Sequence, residues 1–424
     1  MICSEGFHTW VKAGQAGAFS RRRKVDITWV THSILNNRGK TQKMELRNFL
    51  KLTRPGIAIS TWGYTKARLK INPDAFVYLS NSYLELFYCK ENEDFRDYKG
   101  YVPVAIDGTD LHLPATEETV RNYGNGNSRS DYPVVMASAS CAYDVCNHMI
   151  LDAKLERYKR SERDSAREHM KKISSTYPQK FIYLFDRGYP AAEFLMELLD
   201  NKQSFLFRLD TATFKREQVQ LDSDDAWIDI FLDQTRINPY RGTPLAIKMR
   251  QVGRLRLRMT QITLPEGGTE TLLSNLPEDE FSHDELAELY HMRWGIETMY
   301  DTLKNKLQIE NFSGKLQRII EQDFYSTIYL YNLISDIQHD AETAMTLPQQ
   351  KYGMKANQTM AVGIVKEALI QMATARSGTM RSAIYNRIIA EIQAYMVPIR
   401  PNRHFPRNTA PRKTKHSINR KNSY

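Results

Sequence analysis

Tyr290-His291-Met292-Arg293-Trp294-Gly295-Ile296-Glu297-Thr298-Met299-Tyr300-Asp301-Thr302-Leu303-Lys304 is the stretch on which the reading of this chain turns. Taken as one helix at roughly 100° per residue, it separates into two faces. Tyr290, Arg293, Trp294, Glu297, Asp301 and Lys304 share one of them. Leu289, Met292, Ile296, Met299, Leu303 and Leu307 share the other and are expected to face a core. The polar face sets a carboxylate one turn after an arginine and two turns before a lysine, with a tyrosine and a tryptophan alongside. Salt-bridged surface helices show the same spacings, and each such pair contributes only about 0.3 kcal/mol. A carboxylate among phosphate-binding cations also suits a site that holds a divalent metal and a polyanion together. The rest of the chain has to decide between these readings.

Two aspartates upstream bear on that choice. Tyr101-Val102-Pro103-Val104-Ala105-Ile106-Asp107-Gly108-Thr109-Asp110 is a β-branched run that predicts a central strand with Asp107 at its end. Phe181-Ile182-Tyr183-Leu184-Phe185-Asp186-Arg187-Gly188-Tyr189-Pro190 predicts a second strand closed by Asp186. Gly188 there permits a sharp exit, and Pro190 suits the first turn of a helix. Strands are also expected at 134–143, 149–158 and 204–209, with helices at 161–172 and 191–199. This β-β-β-α-β-α-β order would bring Asp107 and Asp186 together on adjacent strands. An aspartate at a strand end is more often a turn former or helix cap. It is the combination with Glu297 that suggests chemistry. Clustered carboxylates repel one another unless divalent cations neutralise them, and oxygen donors with open positions select Mg²⁺ or Mn²⁺. Two such ions can activate a water or a 3′-hydroxyl for in-line displacement at phosphorus.

Outward from this centre the chain divides into expected regions. Residues 1–95 read as mostly helical. Within them Ser60 is a candidate cap for a helix carrying Lys66, Arg68 and Lys70. Two short helices with a basic second member fit either a helix-turn-helix-like DNA reader or an ordinary bundle with a solvated face. Residues 96–209 and 277–345 are expected to form the catalytic core. Residues 210–276 read as a β-rich insertion of short segments, including 219–221, 245–251, 255–263 and 269–274. Arg250, Arg254, Arg256 and Arg258 are expected to alternate along one strand face there, as a protected edge or as a phosphate-tracking surface. Residues 346–424 read as a C-terminal helical region with a basic tail that adheres to polyanions or serves solubility.

The bulk composition agrees with such a protein. There are 424 residues, 42% hydrophobic and 25% charged, with a formal net charge of +10. That excess favours a polyanionic partner. No apolar run approaches a membrane span, and residues 1–6 lack a basic-then-apolar signal pattern, so a cytoplasmic protein is expected. The cysteines Cys3, Cys89, Cys141 and Cys146 are too few and scattered for a disulfide framework. Cys141 and Cys146 are expected to be buried structural thiols.

Tyr290, Arg293, Glu297 and Lys304 together resemble the Y-R-E-K signature of insertion-sequence-four type DDE transposases. Ile106-Asp107-Gly108-Thr109 and Phe185-Asp186-Arg187-Gly188-Tyr189 resemble the two aspartate motifs of that family, and Leu307-Gln308-Ile309-Glu310-Asn311-Phe312-Ser313-Gly314 its sequence after the glutamate. The resemblance spans about residues 20–408, and residues 1–19 do not obviously match. It implies an RNase H-like core, a mixed sheet flanked by helices, with the β insertion before the glutamate. It implies an enzyme that cuts and joins double-stranded DNA at terminal inverted repeats and target sites, as a homodimer on DNA. Asp107, Asp186 and Glu297 would bind Mg²⁺ or Mn²⁺, two ions during catalysis. Tyr290, Arg293 and Lys304 would contact DNA, joined by Lys66, Arg68 and Arg256 from the readings above. Trp227 is the one insertion tryptophan that could stack on a flipped base, though filling a small core suits it better. A stand-alone nuclease or resolvase and a domesticated DNA-binding protein are the other readings. The basic charge and the Arg and Lys beside the acid argue against a two-carboxylate glycosidase.

Overall fold

The computed structural model describes residues 1–399 apart from 13–16, 20–24, 90, 91, 93, 127–133, 264–266 and 345–352. The basic run at 21–24, the loop at 127–129 and the tail at 400–424 therefore lie outside the described residues.

Five helices open the chain: α1 (Glu5–Lys12), α2 (Ile27–Leu35), α3 (Gln42–Thr53), α4 (Thr61–Arg68) and α5 (Asp74–Phe87). Ser60 caps α4 as its residue type predicts, its hydroxyl accepting from the Gly63 N–H at 3.1 Å. The apolar faces of these helices form one cluster that includes Phe7, Val30, Phe49 and Phe76. Phe7 and Val11 of α1 are fully buried in it, so part of the stretch without family resemblance belongs to this core.

The centre of the molecule is a mixed sheet. Its elements run β1 (Tyr101–His112), α6 (Glu117–Tyr123), β2 (Met136–Asp144), β3 (Met149–Arg157), α7 (Glu162–Thr176), β4 (Lys180–Phe185), α8 (Ala192–Asp200) and β5 (Ser204–Leu209). Then come α9 (Lys215–Val219), β6 (Asp225–Phe231), α10 (Gln234–Ile237), α11 (Pro244–Val252), β7 (Arg254–Thr263) and β8 (Thr269–Ser274). Eight strands pair in the order β3-β2-β1-β4-β5-β8-β7-β6. The β1–β4 and β4–β5 pairs are parallel, and the others are antiparallel.

Strand alternation divides the core between the two faces of this sheet. Ala105, Leu184, Leu206 and Leu272 point to one cluster. Val104, Tyr183, Phe207 and Leu273 point to the other, against α7, α8 and α11. The first face is covered by α12 (His283–Met292), α13 (Gly295–Asp301), a π-helical turn at Thr302–Lys306 and the long α14 (Gln317–Thr343). A two-stranded ribbon of β9 (Met354–Ala356) and β10 (Met396–Pro398) and helices α15 (Gln358–Ala373) and α16 (Gly378–Gln393) complete the described chain. The architecture is thus α/β, a large mixed sheet between helical layers.

Several sequence expectations are corrected here. Residues 245–251 form a helix, because Thr243 caps it and Pro244 sits where a missing N–H costs nothing. Residue 219 ends another short helix, α9. Arg250 therefore lies on α11, away from the strand bearing Arg254, Arg256 and Arg258. Trp227 lies on the edge strand β6, opposite Arg258, and is only partly buried. Of the cysteines, Cys141 is buried, while Cys146 is partly exposed. Helix α6, with its Thr116–Thr119 capping box, has no counterpart in the sequence reading.

Candidate functional site

Register brings Asp107 and Asp186 together. Parallel pairing of β1 with β4 ends at Ala105 opposite Leu184. Asp107 stands two residues beyond Ala105 within β1, and Asp186 is the first residue past the end of β4, close enough for its charge to act on Asp107. Asp107 is not at the end of its strand, as the sequence suggested. β1 runs on to His112 in antiparallel pairing with β2, so Asp107 sits where β1 parts from β4.

The stretch Tyr290–Lys304, read above as one helix, is broken rather than continuous. Ser282 and Glu285 form a capping box that starts α12. At Arg293 and Trp294 the backbone switches to shorter-range bonds, Arg293 N–H to Tyr290 O at 3.0 Å and Trp294 N–H to His291 O at 3.2 Å. Gly295 then begins α13 tight against β2, where a Cβ would stand 3.3 Å from Tyr143 Cε1. The apolar face survives this break, and Leu289, Ile296, Met299, Leu303 and Leu307 are all buried.

The break turns the signature side chains toward the strand ends. The Tyr290 hydroxyl donates to Asp186 Oδ1 at 3.4 Å. Arg293 is 2% exposed and lies between the rings of Tyr290 and Trp294, 5.6 and 5.5 Å from their centroids. Its guanidinium is 3.2 Å from Glu297 Oε1 and 3.9 Å from Asp107 Oδ2. Burial alone would lower its pKa, but Tyr290, Asp186, Asp107 and Glu297 together leave it raised. All three predicted acids therefore share the field of one arginine. Lys304 Nζ donates to Thr109 Oγ1 at 2.6 Å and to Asp110 O at 2.9 Å, which ties the π turn to β1. Asp301 pairs with Asn305 and Lys306.

Two residues at the site were not found from the sequence. Glu162 opens α7, capped by Ser161. A Cβ on Gly108 would lie 3.5 Å from its Oε1, and one on Gly188 3.8 Å from its Oε2. Its carboxylate thus lies beside the residues that follow Asp107 and Asp186, at ordinary contact distance, and no local pattern in the sequence signals it. Tyr189 is 1% exposed, and among the described residues its hydroxyl has no hydrogen-bond partner. Burial raises its pKa most, and Asp107, Glu162 and Asp186 raise it further. Burial likewise pushes Asp107 up to about 6, with Glu162 and Asp186 adding to the effect, while the Gly108 N–H and Arg293 oppose it. Glu162 is raised by burial, then by Asp110 and Asp186.

Oxygen donors under mutual repulsion are a set that a hard divalent cation relieves, so Asp107 and Asp186 fit such an ion. Glu297 is held by Arg293 instead. Among the described residues no group of three His, Cys, Asp or Glu side chains is gathered closely enough to hold a metal.

The other sequence-predicted contacts scatter. Lys66 is exposed on α4, its Nζ 3.4 Å from the ring centroid of Trp62, which is 68% exposed. Arg68 is corrected: it is buried, bonded to Gln322 at 2.8 Å and Asp323 at 2.6 Å, and cannot reach a duplex. It fixes α4 to α14. Arg256 and Arg254 are exposed and share Asp229, at 3.5 and 3.0 Å. Arg258 is buried against Asp225 and donates to Phe281 O at 2.6 Å. The arginine run is therefore not one solvent-facing ridge.

Comparison with known proteins gives relatives of one kind. The chain is 33% identical over 75 residues to the putative transposase InsL of insertion sequence element IS186A from Escherichia coli K12, covering 18% of this chain and 20% of that protein. The same identity and coverage relate it to the transposase for insertion sequence element IS421 from Escherichia coli. The similarity spans a fifth of the length of these relatives. Among solved structures, a piggyBac transposase synaptic complex with hairpin DNA is similar at 10% identity and a TM-score of 0.46, over 92% of this chain and 83% of that one. A likeness that weak carries no argument. Residues 98–333, which contain both aspartates and the Tyr290–Lys304 segment, match the family described as the Transposase DDE domain, and as this is more than half of the 424 residues, the chain belongs to that family.

Proposed function

We propose that this protein is an insertion-sequence transposase that hydrolyses DNA phosphodiester bonds and transfers strands at element ends, dependent on Mg²⁺ or Mn²⁺. The observation that carries this reading is that Asp107 on β1, Asp186 just past the adjacent parallel strand β4, and Glu297 all lie in the field of the buried Arg293. The order β3-β2-β1-β4-β5, with β1, β4 and β5 parallel, supports an RNase H-like core. On this reading residues 1–95 form a DNA-binding region, 96–209 and 277–345 the core, 210–276 the insertion and 346–424 a C-terminal helical region. The protein works as a homodimer on DNA.

Asp107 and Asp186 would hold the metal, and Glu297 would join them on leaving Arg293. A bound divalent cation would lower the pKa of an attacking water or hydroxyl and stabilise the leaving oxygen. The protein's own contribution is electrostatic and positional. Arg293 neutralises the acids in the resting state. When Glu297 is withdrawn from it, its guanidinium is available to a phosphate oxygen as a planar double donor. Tyr290 orients Asp186. Lys304, on the π turn beside β1, and Lys66 and Arg256, on the surface, supply charge for the DNA backbone.

Glu297→Gln tests this. Mg²⁺-dependent cleavage of a duplex carrying the element end should fall by at least about a thousandfold, in the range of removing a principal transition-state group. Duplex affinity in EDTA should stay within about twofold, since no phosphate contact is lost. Cleavage at the wild-type rate would remove Glu297 from the reaction and the transposase reading with it.

A further inference from the structure

A second site lies away from the acids. A half-open cavity of about 290 Å³ is formed where the turn after α2, the end of the π turn with the segment that follows it, and α15 converge over α14. Arg38 after α2, Lys306 at the end of the π turn and Lys366 on α15 line it. The wall is close-fitted: a Cβ on Gly39 would stand 2.5 Å from Asn311 Nδ2, and Gly39 has φ +77. Only glycine lets this turn lie against the 308–311 segment.

Three cations, Arg38, Lys306 and Lys366, and two acids, Asp323 and Glu367, line the cavity. Arg38 NH2 donates to Lys366 O at 3.4 Å, and Lys366 Nζ donates to Asn37 O at 2.7 Å. The two cations thus embrace through backbone carbonyls. Lys306 is bonded to the neutral Gln358 at 2.7 Å and stands 3.7 Å from Asp301. The acids nearby are engaged or at the rim. Asp323 is paired with Arg68, Glu45 accepts the backbone N–H groups of Arg38 and Lys40, and Glu367 is exposed. Burial brings Lys366 down to about 8, Glu45 opposing and Arg38 adding to the fall. Arg38 and Lys366, whose printed partners are backbone carbonyls, form a seat for an anion where they meet at the cavity, with Lys306 nearby although it also faces Asp301.

We propose that this cavity is a phosphate-binding site, in which Arg38 and Lys366, with Lys306 opposite, hold one phosphate group. The phosphate is free or belongs to a DNA backbone; the chemistry of the seat is the same. The site joins three elements, so its occupant links the N-terminal helices to the segment that follows Lys304. This inference rests on the cavity itself and stands whether or not the acids cleave DNA.

The test uses the full chain in EDTA. Inorganic phosphate is titrated by calorimetry at constant ionic strength against chloride, and binding of a random-sequence duplex is measured across salt concentrations. Wild type should bind phosphate, and Lys366→Met should weaken it by about tenfold or more, the scale of one charge-assisted contact. If the natural occupant is free phosphate, duplex affinity will be the same in wild type and variant. If it is a DNA phosphate, inorganic phosphate will compete with the duplex, and Lys366→Met will reduce the salt slope by about one. Arg38→Gln, at an exposed side chain, gives the same comparison should Lys366→Met fail to fold. Phosphate and duplex binding both unchanged in a folded variant would overturn the proposal.

Discussion

Arg293 shows how one buried cation can organise a site of like charges. Asp107 lies beside it, yet burial and the neighbouring acids still push that carboxyl up to about 6 from 3.8. The folded state therefore holds a proton that the unfolded chain has released between pH about 4 and 6. Stability falls as pH rises through that window, by about 3 kcal/mol at most for a shift of this size. Asp107→Asn has no charge to bury, so urea unfolding in EDTA should find it more stable than wild type at pH 8, with the gap closing toward pH 4. A variant equally stable at both ends would show that the carboxyl is not strained. Arg68 carries the opposite lesson. Its ion pair with Asp323 is buried on both sides, and removing one partner of such a pair costs about 3–5 kcal/mol. Arg68→Met should lower the midpoint of unfolding sharply, while the fraction that remains folded binds duplex as wild type does. Weakened DNA affinity in fully stable protein would return Arg68 to the interface.

At the scale of elements, the broken helix decides what the signature can do. An unbroken helix would carry Tyr290 and Lys304 along one straight ridge. The change of hydrogen bonding at Arg293 and Trp294 lets Tyr290 reach Asp186 while Lys304 reaches Thr109 and Asp110. Gly295 sets the approach of α13 to β2. Tyr143, which its Cβ would press, is held through its hydroxyl by His148 at 2.9 Å and Tyr331 at 3.2 Å. It has little room to yield, so Gly295→Ala should destabilise by about 1–3 kcal/mol, as overpacking does. Thermal unfolding would measure this, and an unchanged midpoint would mean that Tyr143 moves freely. The C-terminal helical region expected from residue 346 contains α15 and α16. The short α11 was not legible: its seven interior residues fit a strand as well, and only the Thr243 cap and Pro244 point to a helix.

For the whole molecule, the consequence lies in how residues 210–276 attach. β8 pairs with β5, and β7 and β6 follow it, so this segment continues the central sheet. Phe207 and Leu273 sit in the same core cluster. Backbone amides of β8 should therefore exchange hydrogen as slowly as those of β5, opening only with the sheet. Exchange in β8 faster by orders of magnitude would make the segment a separately folding unit. By itself, the amino-acid sequence determined the two aspartate strands, the apolar face that runs from Leu289 to Leu307 and the resemblance that joins Tyr290, Arg293, Glu297 and Lys304. These are local patterns, set by periodicity, turn chemistry and fixed spacing. Tertiary structure alone decided that Arg68 and Arg258 are buried, that Glu162 and Tyr189 join Asp107 and Asp186, and that Arg38 meets Lys366. Each depends on segments far apart in the chain packing at one place, and pairing across such distances is set by register and burial, which no local pattern records.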